Sequence, residues 1–145
     1  MATKFIGKFG EYIALSRLLA HEIEAYPAIK VNQANCDLTA ITKAGRVVRI
    51  EVKSTDLLNA STNNTIGALA KTFDFLVIVV TNGQETDCYV LSHAEAMALR
   101  GSSKQMGISE FRDGAKRVKT SIHSHHERWD RIGSFGDPSK GSSTP

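Results

Sequence analysis

The sequence predicts an α/β fold, a central mixed sheet flanked by helices, in one domain over residues 1–133 with a disordered tail at 134–145. Three observations predict it. Apolar residues recur at helical spacing between Phe9 and Ala25. The stretch CDLTAITKAGRVVRIEVKS alternates with period two about a glycine-ended turn. Phe75-Leu76-Val77-Ile78-Val79-Val80 is a continuous apolar run, too short for a membrane span and suited to a strand buried on both faces.

The first helix, Phe9 to Ala25, places Leu15, Leu18, Leu19 and Glu22 on one side, and Pro27 ends it. Glu11 lies between Leu15 and Leu18 on the helical wheel. A carboxylate there is costly unless paired or metal-linked, although an acid in a first turn also suits the helix dipole. Ala28 to Asn32 reads as a short strand feeding the hairpin.

The hairpin turn is Lys43-Ala44-Gly45, whose glycine takes the left-handed conformation without steric cost. That loop sets the register. Thr42 faces Arg46, Ile41 faces Val47, Ala40 faces Val48, Thr39 faces Arg49, Leu38 faces Ile50 and Asp37 faces Glu51. Leu38, Ala40, Thr42, Arg46, Val48, Ile50 and Val52 then share one largely apolar face. Asp37, Thr39, Arg49, Glu51 and Lys53 share the other. A one-residue slip would put Asp37 on the opposite face from Glu51. Two carboxylates beside an ammonium call for a hard cation such as Mg²⁺ or Mn²⁺. The bland alternative is a surface ion pair of little value.

Asp37 followed by Glu51-Val52-Lys53 resembles the PD-(D/E)XK nuclease superfamily, the fold of many restriction enzymes, Holliday-junction resolvases and a small class of homing endonucleases. The proline often found before the first Asp is replaced here by Cys36. The resemblance covers roughly residues 5 to 91 and implies a restriction-endonuclease-like αβββαβ core. It also implies that Asp37, Glu51 and the Val52 backbone carbonyl hold Mg²⁺ or Mn²⁺, that Lys53 orients the attacking water, and that Glu11 assists. The function it implies is a metal-dependent DNA endonuclease of homing, restriction or junction-resolving type. The alternative is a non-catalytic DNA-binding or assembly subunit on the same fold. The small size favours a homodimer or homotetramer, because one site cuts one strand at a time.

After Lys53 the composition changes. DLLNASTNNT, residues 56–65, reads as a polar loop, and Ile66 to Thr72 suggests a short helix. Ser54, Asn63 and Lys71 lie where small polar or basic groups would meet DNA sugars and phosphates. Asn82-Gly83 marks a turn, Cys88 to Leu91 a strand, and Ser92 with Glu95 a capping box opening a helix through Arg100. Beyond Gly101 periodicity is poor. Lys116, Arg117 and Lys119 form a basic stretch suited to phosphate contact. Ser124 and Glu127 make a second capping box, which would open a helix holding His125, Arg128, Trp129 and Ile132 and stopped by Gly133. Trp129, the only tryptophan, would anchor that helix on the core or on another subunit. His125 and His126 point about 100° apart on such a helix and are poorly placed to share an ion.

Composition bounds the rest. The chain has 145 residues, 41% of them hydrophobic, which allows one domain with a modest core. Net charge is +3 and the isoelectric point about 9.0, permitting nucleic-acid binding without requiring it. No apolar stretch approaches a membrane span and the start is not a signal-peptide pattern, so the expectation is a cytoplasmic protein with no membrane partner. Two cysteines, Cys36 and Cys88, are too few for a disulfide framework and read as reduced thiols.

Overall fold

The computed structural model describes residues 3–28, 37–67, 69 and 72–137. Five strands form a mixed sheet in the order β1-β2-β3-β4-β5: β1 (Glu24–Pro27), β2 (Leu38–Ile41), β3 (Val47–Asp56), β4 (Phe75–Asn82) and β5 (Glu85–Ser92). Neighbours are antiparallel except β3 and β4, which run parallel. Helix α1 (Ile6–Ala20) covers one face, and α2 (His93–Arg100) follows β5. A separate hairpin, β6 (Ser109–Arg112) with β7 (Ala115–Val118), and two short helices, α3 (Thr120–His123) and α4 (Asp130–Gly133), complete the chain. The mixed sheet flanked by helices is the fold class the sequence predicts. Among the described residues no helix is long and apolar enough to cross a membrane.

The buried run at 75–80 divides the molecule. Phe75, Val77 and Val79 face a core shared with Ala14 and Leu18 of α1, whereas Leu76, Ile78 and Val80 face a second core with Leu91, Ala96 and Ile108. Period-two alternation on a strand covered on both sides explains why every residue there is apolar.

Helix α1 stops at Ala20, five residues before the predicted end at Ala25. Glu22 turns left-handed at φ 60°, the Glu22 N–H reaches the Leu19 carbonyl at 2.9 Å, and the Ile23 N–H reaches back to the Leu18 carbonyl at 3.0 Å. This is a Schellman ending, with Ile23 as the apolar residue that seals it. The position usually held by glycine is glutamate here, so the stop left no signal in the sequence. The next strand accordingly forms at Glu24–Pro27, ahead of the predicted Ala28–Asn32, and Pro27 lies in that strand instead of ending the helix. Of the predicted strand only Ala28 is described, and it is not in a strand; residues 29–36, including Cys36, lie outside the described residues. Replacing Glu22 with glycine removes the left-handed penalty and should raise stability by about 0.5–1 kcal/mol. Thermal unfolding of the variant checks this, and an unchanged or lower midpoint would contradict it.

The predicted helix at 66–72 is not present at its described residues. Ile66 instead pairs with Met106, its N–H meeting the Met106 carbonyl at 2.9 Å. Lys71 lies outside the described residues. The polar loop before it is ordered by Asn64, which is 1% exposed and left-handed at φ 47°. Its Nδ2 donates to the Thr55 hydroxyl at 2.9 Å and the Asp56 carbonyl at 2.8 Å, and its Oδ1 accepts from the Ser109 hydroxyl at 2.7 Å. A buried amide with its hydrogen bonds made fixes a loop that composition alone reads as irregular.

The Ser92–Glu95 capping box forms as predicted, each side chain bonding the other's backbone N–H. The Ser124–Glu127 box does not. Ser124 ends α3, and Glu127, at φ 52°, turns inward. Its Oε2 accepts from Arg17 and from the Cys88 N–H, and its Oε1 accepts from the Trp129 indole at 2.7 Å. Trp129 is fully buried in its own chain beside Ile132, anchoring this segment on the core, one of its two expected roles. Burial pushes the Cys88 thiol up to about 12, so it is protonated and unreactive at neutral pH. The packed chain also runs past the predicted boundary at 133. Phe135 lies edge-on to Phe75 with ring centres 5.5 Å apart.

Candidate active site

The β2–β3 register is the one the turn predicts: Leu38 pairs with Ile50, Thr39 with Arg49, Ala40 with Val48 and Ile41 with Val47. The Thr42 N–H closes the loop on the Arg46 carbonyl at 2.9 Å, and Gly45 is left-handed at φ 84°. Ile50 and Val52 enter the core beneath α1. Glu51 and Lys53 therefore take the other face, where they pair in register with Leu76 and Ile78 of β4.

The site arises where β3 changes partners. Its β2 pairing ends at Ile50, while its parallel pairing with β4 runs from Ile50 to Asp56. Beyond Ile50, β3 has lost β2 on one side, and Asp37 lies at that edge. The Asp37 N–H reaches the Ile50 carbonyl at 2.9 Å, and its Oδ2 accepts the Val52 N–H at 2.7 Å. The Asp37 carboxylate thus replaces the missing strand. Within an extended strand, a residue's N–H and C=O point to the same side, so the Val52 carbonyl opens toward the Asp37 edge.

Glu51 is 6% exposed, and the Lys53 ammonium stands 3.5 Å from its Oε1. A buried carboxylate is favoured by a cation beside it, and the part-buried Lys53 ammonium is one such partner. The donor set here is hard oxygen: two carboxylates on one strand junction and a neighbouring carbonyl. That set fits Mg²⁺ or Mn²⁺ and suits softer metals poorly.

Glu11 is placed differently. Gly10 packs against Ser54 of β3, and Ser54 shares its face with Val52. Helix α1 therefore covers the face opposite Glu51 and Lys53. The Glu11 Oε1 accepts from Lys8 at 3.1 Å. That hydrogen bond and the charge of Glu11 raise the Lys8 pKa, with a smaller upward push from Asp37. Lys8, which the sequence reading passed over, is thus held beside Glu11 on α1.

The predicted DNA contacts divide. The Ser54 hydroxyl is buried and without a hydrogen-bond partner, and a Cβ on Gly10 would stand 1.8 Å from it, so it cannot reach a ligand outside. The Lys116 ammonium is bound to the carbonyls of Asn59 at 2.8 Å and Ser61 at 2.6 Å, where it staples the polar loop. Asn63 and Arg117 are exposed, and Lys119 lies beside Gly107 at the base of the β6–β7 hairpin. Arg49, predicted on the carboxylate face, pairs with Asp74, 3.4 Å away.

The histidine cluster disperses as well. His126 Nε2 meets Asp87 Oδ1 at 2.8 Å, and the His125 ring stands 3.9 Å from Glu95. Burial lowers the His125 pKa, which favours its neutral form. Asp87, His126 and Glu127 bring ligand atoms within 4.8 Å of one another. The Glu127 oxygens are already taken by Arg17, Cys88 and Trp129, which makes the group a clasp between β5 and the C-terminal segment.

No family model matches the sequence, and no curated protein is similar to it. Among solved structures the chain is similar to the bacterial homing endonuclease I-Ssp6803I, at a TM-score of 0.70 and 19% sequence identity. The match covers 97% of this chain and 98% of that one. At this identity the likeness establishes a shared fold over nearly the whole length of both chains.

Proposed function

We propose that the protein is a Mg²⁺- or Mn²⁺-dependent DNA endonuclease of homing, restriction or junction-resolving type. The observation that carries the reading is the junction at β3. Register brings Asp37 to the edge where β2 ends, and Glu51 is buried there with Lys53 at 3.5 Å. Likeness of fold to a homing endonuclease supports it.

In this reading Asp37, Glu51 and the Val52 carbonyl would hold the cation. When bound, it supplies charge stabilisation for the phosphate in the transition state. Asp37 is held in place by the Val52 N–H, and Glu51 by burial against β4, so neither must reorganise when DNA arrives. Lys53 holds the attacking water on the Glu51 side and offsets negative charge growing on the phosphate oxygens. Water attacks phosphorus in line, the bond to the 3′-oxygen breaks, and a 5′-phosphate remains. Glu11 assists through a water or the ion. Asn63 and Lys119 contact the DNA backbone. One such site cuts one strand, so double-strand cleavage requires a homodimer or homotetramer.

Incubation of the purified protein with supercoiled, linear and branched DNA tests the proposal. Nicked or linear product should form with Mg²⁺ and vanish with EDTA. Binding without cleavage in Mg²⁺ and Mn²⁺ would instead favour a non-catalytic DNA-binding subunit.

A further inference from the structure

The β6–β7 hairpin is a ribbon anchored at its base, with its tip residues exposed. Its tip is Asp113-Gly114, at φ 54° and 76°, the pair of left-handed residues that makes a tight two-residue turn. Its pairs are Ser109 with Val118, Glu110 with Arg117, Phe111 with Lys116 and Arg112 with Ala115. Ser109 and Val118 are buried at the base, and Lys116 on the same face holds the loop carbonyls. Glu110, Arg112, Ala115 and Arg117 take the opposite face, where Arg117 is exposed and the other three are half-buried, while Phe111, 64% exposed, shares the Lys116 face.

The described side-chain bonds of that opposite face stay within the ribbon. Arg112 pairs with Glu110 at 2.7 Å and donates to the Val118 carbonyl at 2.9 Å, and Arg117 donates to the Arg112 carbonyl at 3.4 Å. The base is tied to the candidate active site along one line. Thr55 shares the β3 face of Glu51 and Lys53, Asn64 bonds Thr55 at 2.9 Å, and Ser109 bonds Asn64 at 2.7 Å. Val118 and Ile108 also enter the core beneath that same face.

We infer that this ribbon reads base edges in the major groove of duplex DNA, with Arg117 as its principal base-reading side chain. The inference rests on the proposed endonuclease reading. Four residues per strand make a ribbon about 13 Å long. A two-stranded ribbon fits the major groove, which is about 12 Å wide. The exposed Arg117 guanidinium on this face is the group that meets guanine O6 and N7, with the Arg112–Glu110 pair beside it. The basic residues Arg112, Arg117 and Lys119 complement the phosphates that flank the groove. Anchoring through Asn64 and Lys116 holds the reading face at a set offset from the catalytic carboxylates, so a recognised base fixes where the strand is cut.

The test separates base reading from charge. A randomised duplex library is bound by the wild-type protein and by the Arg117→Gln and Arg117→Lys variants, with EDTA present, and the bound DNA is sequenced. Arg117 is exposed, and matching thermal unfolding of the three proteins confirms equal folding. Wild type should enrich guanine at a defined position, and both variants should lose that enrichment about tenfold. Arg117→Lys keeps the charge and should keep its affinity for unselected duplex within about twofold. Unchanged enrichment in both variants would overturn the inference, as would loss in Arg117→Gln alone, since that marks a phosphate contact. Plasmid cleavage by a wild type that enriches no base would overturn the ribbon and leave the endonuclease standing. Selective binding lost in both variants, without cleavage under any metal, would sustain the ribbon and overturn the endonuclease. A wild type that neither binds nor cuts DNA overturns both.

Discussion

Glu51→Gln should abolish Mg²⁺-dependent nicking, by at least about 100-fold, or ~2.7 kcal/mol in the barrier. The change preserves shape and removes the charge of a carboxylate that is 6% exposed and 3.5 Å from Lys53. A cation held there loses a charged ligand, and Lys53 loses the partner that holds it over the site. Binding to DNA in EDTA should persist or strengthen, because negative charge facing phosphate is removed. Plasmid nicking and a gel-shift titration read the two effects separately. Nicking at the wild-type rate would rule out the β3 junction as the catalytic site. A large fall in unfolding midpoint with unimpaired nicking would make the Glu51–Lys53 pair a structural one.

Trp129→Ala should destabilise the fold by about 3–5 kcal/mol, the cost of removing a large buried ring and leaving its cavity. Trp129 is 0% exposed, and its indole N–H is one of three donors on Glu127. The variant also frees one Glu127 oxygen in the clasp joining α1, β5 and α4, so the loss should fall at the upper end of that range. Chemical denaturation followed by size measurement checks it. The expected result is unfolding at lower denaturant with no earlier dissociation step. A variant of normal stability that dissociates would favour the interface role.

The features that sequence determined are those set by local rules. Gly45 closes a three-residue turn, period-two alternation sorts the faces, and together they set the β2–β3 register that ends at Leu38 and Ile50, next to Asp37 and Glu51. The 75–80 run predicts its own burial, and Ser92 with Glu95 predicts its own cap. One local signal was passed over: Asp113-Gly114, a two-residue turn pair that marks the β6–β7 ribbon. Three other outcomes belong to tertiary structure. Glu22 ends α1 because Ile23 gains burial beneath Leu18, which outweighs the cost of a left-handed glutamate. Glu127 forgoes a capping box because Arg17, 110 residues away, offers its carboxylate a charged partner. Lys116 is tied down because Asn59 and Ser61 present carbonyls that only the folded loop brings together. In the last two cases the deciding contact joins segments remote in the chain. Local propensity is worth tenths of a kcal/mol per residue and yields to burial and charge pairing worth more.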